Sequence, residues 1–183
     1  MVLLASEYKI LQRGEEAPDF SLPGTDGKTY TISHLRGAKA LLVIFMCNHC
    51  PFVLPKIEEM KRIAADYKGQ GLMVLGINAN EADEYPEDSF EKMQEYVQLW
   101  RLNFPYLRDE SQEVAKAYGA VCTPDPFLFD AQGKLVYHGR IDDAHGKELA
   151  KVHELYGIIG EFLQIGKITA EQKPSMGCSI KWK

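Results

Sequence analysis

The sequence predicts an α/β fold in which a central mixed β-sheet is flanked by helices. Two continuous apolar runs, residues 40–46 and 72–78, are typical of parallel strands buried on both faces. Apolar residues recur at helical spacing between them, over residues 52–67, which completes a βαβ unit. Two later segments with strand-like composition, 126–130 and 134–140, flank a glycine-containing turn and predict an antiparallel hairpin in the same sheet.

Length and composition are those of one folded domain with a short tail. The chain has 183 residues, of which 45% are hydrophobic and 26% charged. We assign residues 1–165 to the domain and the polar residues 166–183 to an extended C-terminal tail. The net charge of −5 argues against nucleic acid as a partner. Because no run approaches ~20 apolar residues and the start lacks a basic segment, we expect no membrane partner and a cytoplasmic location.

The N-terminal elements are predicted from turn residues. Residues 17–22 and 28–32 flank Gly24-Thr25-Asp26-Gly27, which indicates an N-terminal β-hairpin with a loop longer than two residues. Residues before 17 are expected to form an irregular lead-in, and residues 33–37 a short helical turn. The run 40–46 then begins the central sheet.

Proline and glycine set the limits of the later elements. Pro51 stands at the start of a helix, where its missing N–H costs little. Gly69 and Gly119 stand where two helices are expected to end. The other predicted elements are an acidic loop at 79–88, helices at 89–102, 112–118 and 147–163, and a short extended segment at 104–107.

Two cysteines stand where the first buried strand gives way to a helix. Residues 47–51 read Cys-Asn-His-Cys-Pro, and two thiols at this spacing can form and break a disulfide with little backbone movement. A thiolate at a helix N-terminus is stabilised by the unpaired N–H groups there, which lowers its pKa. The motif therefore predicts a thiol redox protein in which Cys47 attacks and Cys50 resolves.

His49 lies inside the cysteine pair. A protonated imidazole beside Cys47 would stabilise the Cys47 thiolate and lower its pKa. This arrangement predicts a disulfide that is more oxidising than that of thioredoxin. In the alternative interpretation, His49 is a surface residue that points away from the pair.

The order of elements, the Cys-x-x-Cys motif after a central strand and Thr123-Pro124 before the second hairpin together resemble the thioredoxin fold. The resemblance covers about residues 14–165 and implies that the Thr123–Pro124 bond is cis and lies against the cysteine pair. It also implies catalytic roles for Cys47, Cys50, His49, Thr123 and Pro124.

The opening of the chain resembles one branch of this superfamily. Gly14, residues 17–22 with the turn that follows, and Leu35-Arg36-Gly37 are similar to the alkyl hydroperoxide reductase/thiol-specific antioxidant (AhpC/TSA, redoxin) family. That resemblance implies a thiol–disulfide oxidoreductase with an antioxidant-type role, acting on disulfide-containing proteins or small thiols with a thiol electron donor. Residues 174–183 resemble the ending of a bacterial subgroup of uncharacterised thioredoxin-like redoxins.

Two further cysteines have open roles. Cys122 immediately precedes Thr123, so we expect it near the pair, as a third exchanging thiol, a metal ligand or simply a small apolar residue. Cys178 lies in the predicted tail. It is a candidate for resolving a mixed disulfide or pairing with another chain, and an inert cysteine is the alternative.

The general base for the resolving thiol is unassigned. Thioredoxin has a buried carboxylate on the strand before its cysteines, and residues 40–46 contain no acid. Some relatives place a glutamate after the next strand, which makes residues 81–84 (Glu-Ala-Asp-Glu) candidates, although a solvated acidic loop is the simpler interpretation. We expect His138, Arg140 and His145 to be exposed to solvent.

Two other functions compete with disulfide exchange. A thiol peroxidase of the peroxiredoxin type needs Pro-x-x-x-Thr-x-x-Cys, and counting back from either Cys47 or Cys50 does not produce it. A metal-binding module for copper or zinc would combine the cysteines with His138 or His145. No Gly-x-Gly-x-x-Gly follows a strand, so no organic cofactor is expected.

Overall fold

The computed structural model describes residues 2–35, 37–144, 146 and 148–183. Arg36, His145 and the predicted helix start at Lys147 lie outside the described residues. The strands are β1 Leu3–Ala5, β2 Ser21–Pro23, β3 Thr29–Thr31, β4 Ala40–Phe45, β5 Leu72–Asn78, β6 Tyr106–Arg108, β7 Cys122–Thr123, β8 Asp125–Asp130, β9 Leu135–His138 and β10 Met176–Ser179. The α-helices are α1 Ile57–Lys68, α2 Phe90–Trp100, α3 Glu113–Tyr118 and α4 Glu154–Ile165.

The central sheet has the strand order β6-β5-β4-β8-β9. Strands β6, β5 and β4 are parallel, and β8 and β9 are antiparallel to their neighbours. The mixed sheet predicted from the sequence is therefore confirmed. The N-terminal hairpin is confirmed as the antiparallel pair β2 and β3.

Alternation along β4 explains why both faces of the sheet are covered. Leu42 and Ile44 face one hydrophobic cluster, which contains Met60 of α1 and residues of α4. Leu41 and Val43 face the other cluster, which contains residues of α3. Every residue of β4 is buried, as expected for a continuous apolar strand between two layers of helices. No described helix is both long and apolar enough to cross a lipid bilayer.

The helix starts differ from their predicted positions for local reasons. The helix predicted from residue 52 begins with a 3-10 turn at Leu54–Lys56, and α1 follows from residue 57. Pro55 lies in that turn and cannot donate a backbone hydrogen bond. The helix predicted from residue 147 starts at Glu154, because the N–H groups of Lys151 and Val152 donate to the Asp143 carboxylate at 2.7 and 2.9 Å.

The C-terminal residues do not form a detached tail. Strand β10 lies between β1 and β7 in a second, antiparallel sheet. The lead-in was expected to be irregular, but Leu3–Ala5 forms β1 and pairs with β10. Both short strands owe their pairing to tertiary contacts, which is why apolar alternation in the sequence did not reveal them. Residues 176–179 are thus built into the fold beside the Thr123–Pro124 segment.

Candidate functional site

The Cys-x-x-Cys motif follows the buried end of β4 and is fixed by Asn48, whose side chain is completely buried. The Asn48 N–H donates to Asp88 Oδ1 at 2.8 Å, and its amide donates to the Glu87 carbonyl at 2.7 Å. Asn48 Oδ1 accepts from the Tyr106 hydroxyl at 3.0 Å. These bonds hold the backbone between Cys47 and Cys50 against the turn that precedes α2.

Asp88 is a buried carboxylate that the sequence interpretation missed. Besides Asn48, the amides of Asn78 and Asn80 donate to its oxygens at 3.2 and 2.7 Å. Burial alone would raise the pKa of Asp88, but hydrogen bonds from His49, Asn48 and Asn80 outweigh it and hold the pKa below its usual range. Asp88 is therefore a negative charge at the thiol site.

His49 lies between this carboxylate and the surface. Its Nδ1 is 2.9 Å from Asp88 Oδ2, and its side chain is 25% exposed. Its ring stacks on that of Tyr85 with the centroids 5.9 Å apart. The hydrogen bond to Asp88 raises the pKa of His49 despite partial burial. The structure thus places His49 near the cysteine pair, which was one of the two alternatives expected. Its direct partner, however, is the Asp88 carboxylate.

Thr123, the residue before Pro124, contacts both cysteines. The Thr123–Pro124 bond is cis, as the resemblance implied. Cys47 Sγ is 3.2 Å from Thr123 Oγ1, and Cys50 Sγ is 3.3 Å from the Thr123 carbonyl oxygen. A residue 73 positions beyond Cys50 therefore forms one wall of the site.

The two thiols have opposite electrostatic environments. A hydrogen bond to Cys50, burial and the charge of Asp88 raise the pKa of Cys47 well above its usual value. The bond from Cys47 has the reverse effect on Cys50, and with donors from Cys178 and Phe52 it outweighs burial and lowers the pKa of Cys50 to about 5. The sequence predicted a lowered pKa for Cys47, whereas in the structure the bond to Cys50, burial and the Asp88 charge raise it.

The other two cysteines are also buried and differ in position. Cys178 Sγ lies 2.9 Å from Cys50 Sγ. Cys122 lies on β7 opposite Ser179 of β10. Burial, followed by the charge of Asp125, raises the pKa of Cys122 far above its usual value, so this thiol stays protonated. All four cysteines are reduced.

The acidic candidates at 81–84 comprise one buried residue and two exposed ones, and the exposed ones agree with the simpler interpretation of a solvated loop. Glu81 is buried, and its carboxylate accepts the backbone N–H groups of Asp83 and Glu84, so it shapes the loop. Asp83 and Glu84 are exposed. Asp88, seven residues after Glu81, is the acid that reaches the motif. One signal pointed to it, since β4 and β5 are parallel and the segments after them meet at the same edge of the sheet.

The expectation of exposure was wrong for His138 and Arg140. His138 is buried, with Nε2 2.8 Å from Asp125 Oδ1 and its ring stacked on Phe127. Arg140 is half-buried and forms an ion pair with Glu154. Neither was recognisable from a strand pattern, because burial here depends on partners distant in sequence.

A metal could be held by one set of described side chains. Single ligand atoms of Cys47, His49 and Asp88 all lie within 4.8 Å of one another. His138, which the sequence analysis considered as a metal ligand, is instead held by Asp125.

Three comparisons with known proteins bear on this site. Residues 13–138 match the model of the AhpC/TSA family. A curated relative, "Thiol-disulfide oxidoreductase ResA" of Halalkalibacterium halodurans, is 28% identical over 131 residues, which cover 72% of this chain and 70% of the relative.

Solved structures resemble the fold over most of its length. An uncharacterized conserved protein from Geobacillus kaustophilus is 40% identical, with a TM-score of 0.93 over 100% of this chain and 97% of that one. The thioredoxin domain of a thiol-disulfide oxidoreductase from Bacteroides vulgatus is 19% identical, with a TM-score of 0.65 over 84% of this chain and 99% of that one. The latter similarity establishes the thioredoxin-like fold alone.

Proposed function

The chain belongs to the AhpC/TSA family and is a thioredoxin-like thiol-disulfide oxidoreductase, and we propose that Cys47 and Cys50 are its redox-active dithiol/disulfide couple. The substrates are disulfides of proteins or small thiols, and a thiol donor supplies the electrons. The antioxidant role and the cytoplasmic location stay predictions.

The observation that carries this proposal is the geometry of the two thiols, which follow the buried strand β4 and lie 3.2 and 3.3 Å from the Thr123 hydroxyl and carbonyl oxygens. The hydrogen bond from Cys47 also lowers the pKa of Cys50 and so favours its thiolate. The thiolate is the form that attacks disulfides. One of the donors to Cys50, the Phe52 N–H at 3.4 Å, lies at the start of the helical segment that follows the motif.

The exchange is written with Cys50 as the attacking sulfur. Its thiolate attacks one sulfur of the substrate disulfide, a Cys50–substrate bond forms, and the other substrate sulfur leaves as a thiolate. Cys47 then gives its proton to that leaving thiolate and attacks Cys50 Sγ, which breaks the Cys50–substrate bond and releases the first substrate sulfur as a thiolate that takes a proton from solvent. The products are a Cys47–Cys50 disulfide and a fully reduced substrate, and the reverse sequence oxidises a dithiol.

This order differs from the prediction that Cys47 attacks, and two features favour it. The Asp88 charge opposes a thiolate on Cys47, whereas the Cys47 thiol and the Phe52 N–H stabilise a thiolate on Cys50, which also lies 3.3 Å from the Thr123 carbonyl oxygen. Once Cys50 is in a mixed disulfide, its thiolate no longer raises the pKa of Cys47. Cys47 therefore becomes a better nucleophile at the step that requires it.

A metal-binding function has one observation in its favour, the Cys47, His49 and Asp88 cluster. Three features make it the weaker proposal. The oxygens of Asp88 already accept hydrogen bonds from three asparagines, and its charge is paired with His49. The raised pKa of Cys47 also opposes the thiolate form that a metal needs.

The first test is reduction of insulin disulfides by dithiothreitol, followed by turbidity. We expect the protein to accelerate the reaction, and Cys50→Ser to lower the rate to that of dithiothreitol alone. Cys122→Ser serves as the matched control and should keep at least half of the acceleration, because the pKa of that thiol is far above neutral. A Cys50→Ser variant as active as the unaltered protein would overturn the proposal.

The order of attack is tested by pH profiles of the reaction with 4,4′-dithiodipyridine. The Cys47→Ser/Cys178→Ser variant leaves Cys50 and the buried Cys122, and Cys50→Ser/Cys178→Ser leaves Cys47 and the buried Cys122. The absolute rates at pH 7 discriminate poorly, because a lower pKa also reduces intrinsic nucleophilicity (Brønsted β about 0.4–0.5). Asp88 still faces Cys47 and the Phe52 N–H still faces Cys50 in these variants, so we expect the midpoint for Cys50 to lie below that for Cys47. The opposite ranking would restore Cys47 as the attacking sulfur.

A further inference from the structure

The proposed function uses two cysteines, and a third sulfur is in contact with them. Cys178 Sγ lies 2.9 Å from Cys50 Sγ, on the strand that the C-terminal residues add to the fold. We propose that Cys178 is a third redox-active thiol, which converts the Cys47–Cys50 disulfide into a Cys50–Cys178 disulfide by intramolecular exchange. This inference rests on the proposed function, because it requires Cys50 to be an exchanging sulfur.

The position of Cys178 is fixed by backbone pairing. In the register of β10 against β7, Cys178 faces Thr123, the residue whose carbonyl oxygen is 3.3 Å from Cys50 Sγ. On the other side, β10 pairs with β1, where Cys178 faces Leu3. A residue held between two strands stays near Cys50.

Gly177 permits this close approach. A Cβ atom at position 177 would lie 1.9 Å from the Thr123 carbonyl oxygen and 3.2 Å from the Pro124 nitrogen. Both are backbone atoms, so no side-chain rotation relieves the clash. Any other residue at this position would push β10 away from the wall of the site and carry the adjacent Cys178 with it.

The exchange conserves atoms and electrons without an external oxidant. Starting from the Cys47–Cys50 disulfide, the Cys178 thiolate attacks Cys50 Sγ. The Cys50–Cys178 bond forms, the Cys47–Cys50 bond breaks, and its electron pair stays on Cys47. Cys47 takes up the proton that Cys178 lost. The protein remains oxidised by two electrons, but Cys47 is again a thiol.

The local charges restrict this step to the oxidised protein. In the reduced site, burial and then the bond to Cys50 and its charge raise the pKa of Cys178 to about 12. Oxidation of the pair removes the charge from Cys50, while the Lys181 ammonium, which lowers the pKa of Cys178, remains. Cys178 thus gains nucleophilicity only when a Cys50 disulfide is present to attack.

The test maps disulfides after oxidation with one equivalent of diamide, acid quenching and blocking with N-ethylmaleimide. In unaltered protein we expect two isomers, Cys47–Cys50 and Cys50–Cys178, identified by peptide mass. In Cys47→Ser we expect the Cys50–Cys178 disulfide to form and two thiols per chain to disappear. Cys47→Ser/Cys122→Ser should form the same Cys50–Cys178 disulfide as Cys47→Ser. Cys47→Ser/Cys178→Ser should form no internal disulfide.

Gly177→Ala separates proximity from reactivity. We expect this variant to lower the amount of the Cys50–Cys178 isomer at least tenfold and to leave the amount of the Cys47–Cys50 isomer unchanged. Circular dichroism, with Cys178→Ala as a second variant in the same strand, checks that the fold survives. If the unaltered protein forms only Cys47–Cys50 and Cys47→Ser forms no Cys50–Cys178 bond, the inference is wrong while the proposed function stands. If diamide oxidises neither pair and insulin reduction is absent, the proposed function itself is wrong.

Discussion

Among the described residues, two buried carboxylates each have a histidine nitrogen within 3 Å, in very different surroundings. His49 Nδ1 lies 2.9 Å from Asp88 Oδ2, and His138 Nε2 lies 2.8 Å from Asp125 Oδ1. Both acids are completely buried. The first pair touches the reactive thiols, and the second follows the cis-proline inside the fold.

The surroundings decide what each pair does. His49 is partly exposed, stacks on the exposed Tyr85 and can exchange protons with solvent. His138 is enclosed by the rings of Phe127 and Tyr8, with centroids 3.8 and 5.1 Å away. Asp125 also accepts from the Ser6 hydroxyl at 2.7 Å, which ties β1's neighbouring segment to β8.

The difference shows that a short histidine–carboxylate distance does not by itself indicate catalysis. The Asp88 carboxylate influences Cys47, because it raises the pKa of that thiol. The Asp125–His138 pair cross-links β8, β9 and the N-terminal segment. We call Asp125–His138 the inner pair and Asp88–His49 the outer pair. We therefore expect changes in the inner pair to affect stability, and changes in the outer pair to affect thiol chemistry.

The largest effect is expected for His138→Phe. The ring shape is kept, but Asp125 loses its histidine partner in a fully buried position, and breaking such a pair typically costs about 3–5 kcal/mol. Urea unfolding measures the loss. The pH profile of Cys50 towards 4,4′-dithiodipyridine should not change, which distinguishes this pair from the outer one.

The control for this prediction is the double variant Asp125→Leu/His138→Phe. Replacing both members by apolar residues of similar volume is often neutral, so most of the lost stability should return. A single variant that costs less than about 1 kcal/mol would mean that the inner pair contributes little and that the comparison fails.

The next largest effect is expected for Asp88→Asn. An amide retains one acceptor atom and points two N–H donors at groups that themselves donate, so stability should fall by about 1–3 kcal/mol. Loss of the negative charge should also lower the pKa of Cys47. Thiolate absorbance at 240 nm, followed against pH in a Cys50→Ser background, measures this pKa.

Glu87→Gln is the matched control for Asp88→Asn. Glu87 is the adjacent acid, its side chain is exposed, and it accepts from the Tyr96 hydroxyl at 3.0 Å. Its replacement should change stability by no more than about 0.5 kcal/mol and leave the Cys47 titration unaltered. An identical Cys47 titration in the Asp88 and Glu87 variants would remove the assigned role of the outer pair.

The same contrast explains how far the sequence could predict this molecule. The apolar runs at 40–46 and 72–78 predicted the central strands, because nearly every residue of a strand covered on both faces is buried and apolar. The Cys-x-x-Cys motif and Thr123-Pro124 identified one side of the site. Both signals are local, and local patterns are visible in a single sequence.

The missing parts of the site depend on partners far apart in the chain. Asp88 lies 40 residues from the Asn48 backbone that it binds. His138 lies on an edge strand, where exposure is the usual expectation, and its burial depends on Asp125 and Phe127. Strand β10 has no apolar run, and its position depends on a glycine fitting against the Thr123 carbonyl. A fit between backbone segments so far apart in the chain cannot be predicted from composition or periodicity.

The smallest and most selective effect is expected for His49→Ala. The pKa of His49 is raised in the folded protein, so its interaction with Asp88 stabilises the fold fully below the unfolded pKa of about 6.5 and loses this contribution as pH rises through the folded pKa. Because the side chain is partly exposed, the difference between unaltered protein and variant should be below about 1 kcal/mol at pH 5.5 and smaller at pH 9.

The redox potential gives this last prediction a second readout. Without His49, the Asp88 charge acts on Cys47 uncompensated, which should disfavour the reduced form and shift the potential against glutathione by up to about 20 mV towards more reducing values. His153→Ala is the matched control, since His153 lies 3.1 Å from Glu59, away from the thiols. An unchanged potential in His49→Ala would show that the outer pair, like the inner one, serves the fold and not the poise of the disulfide.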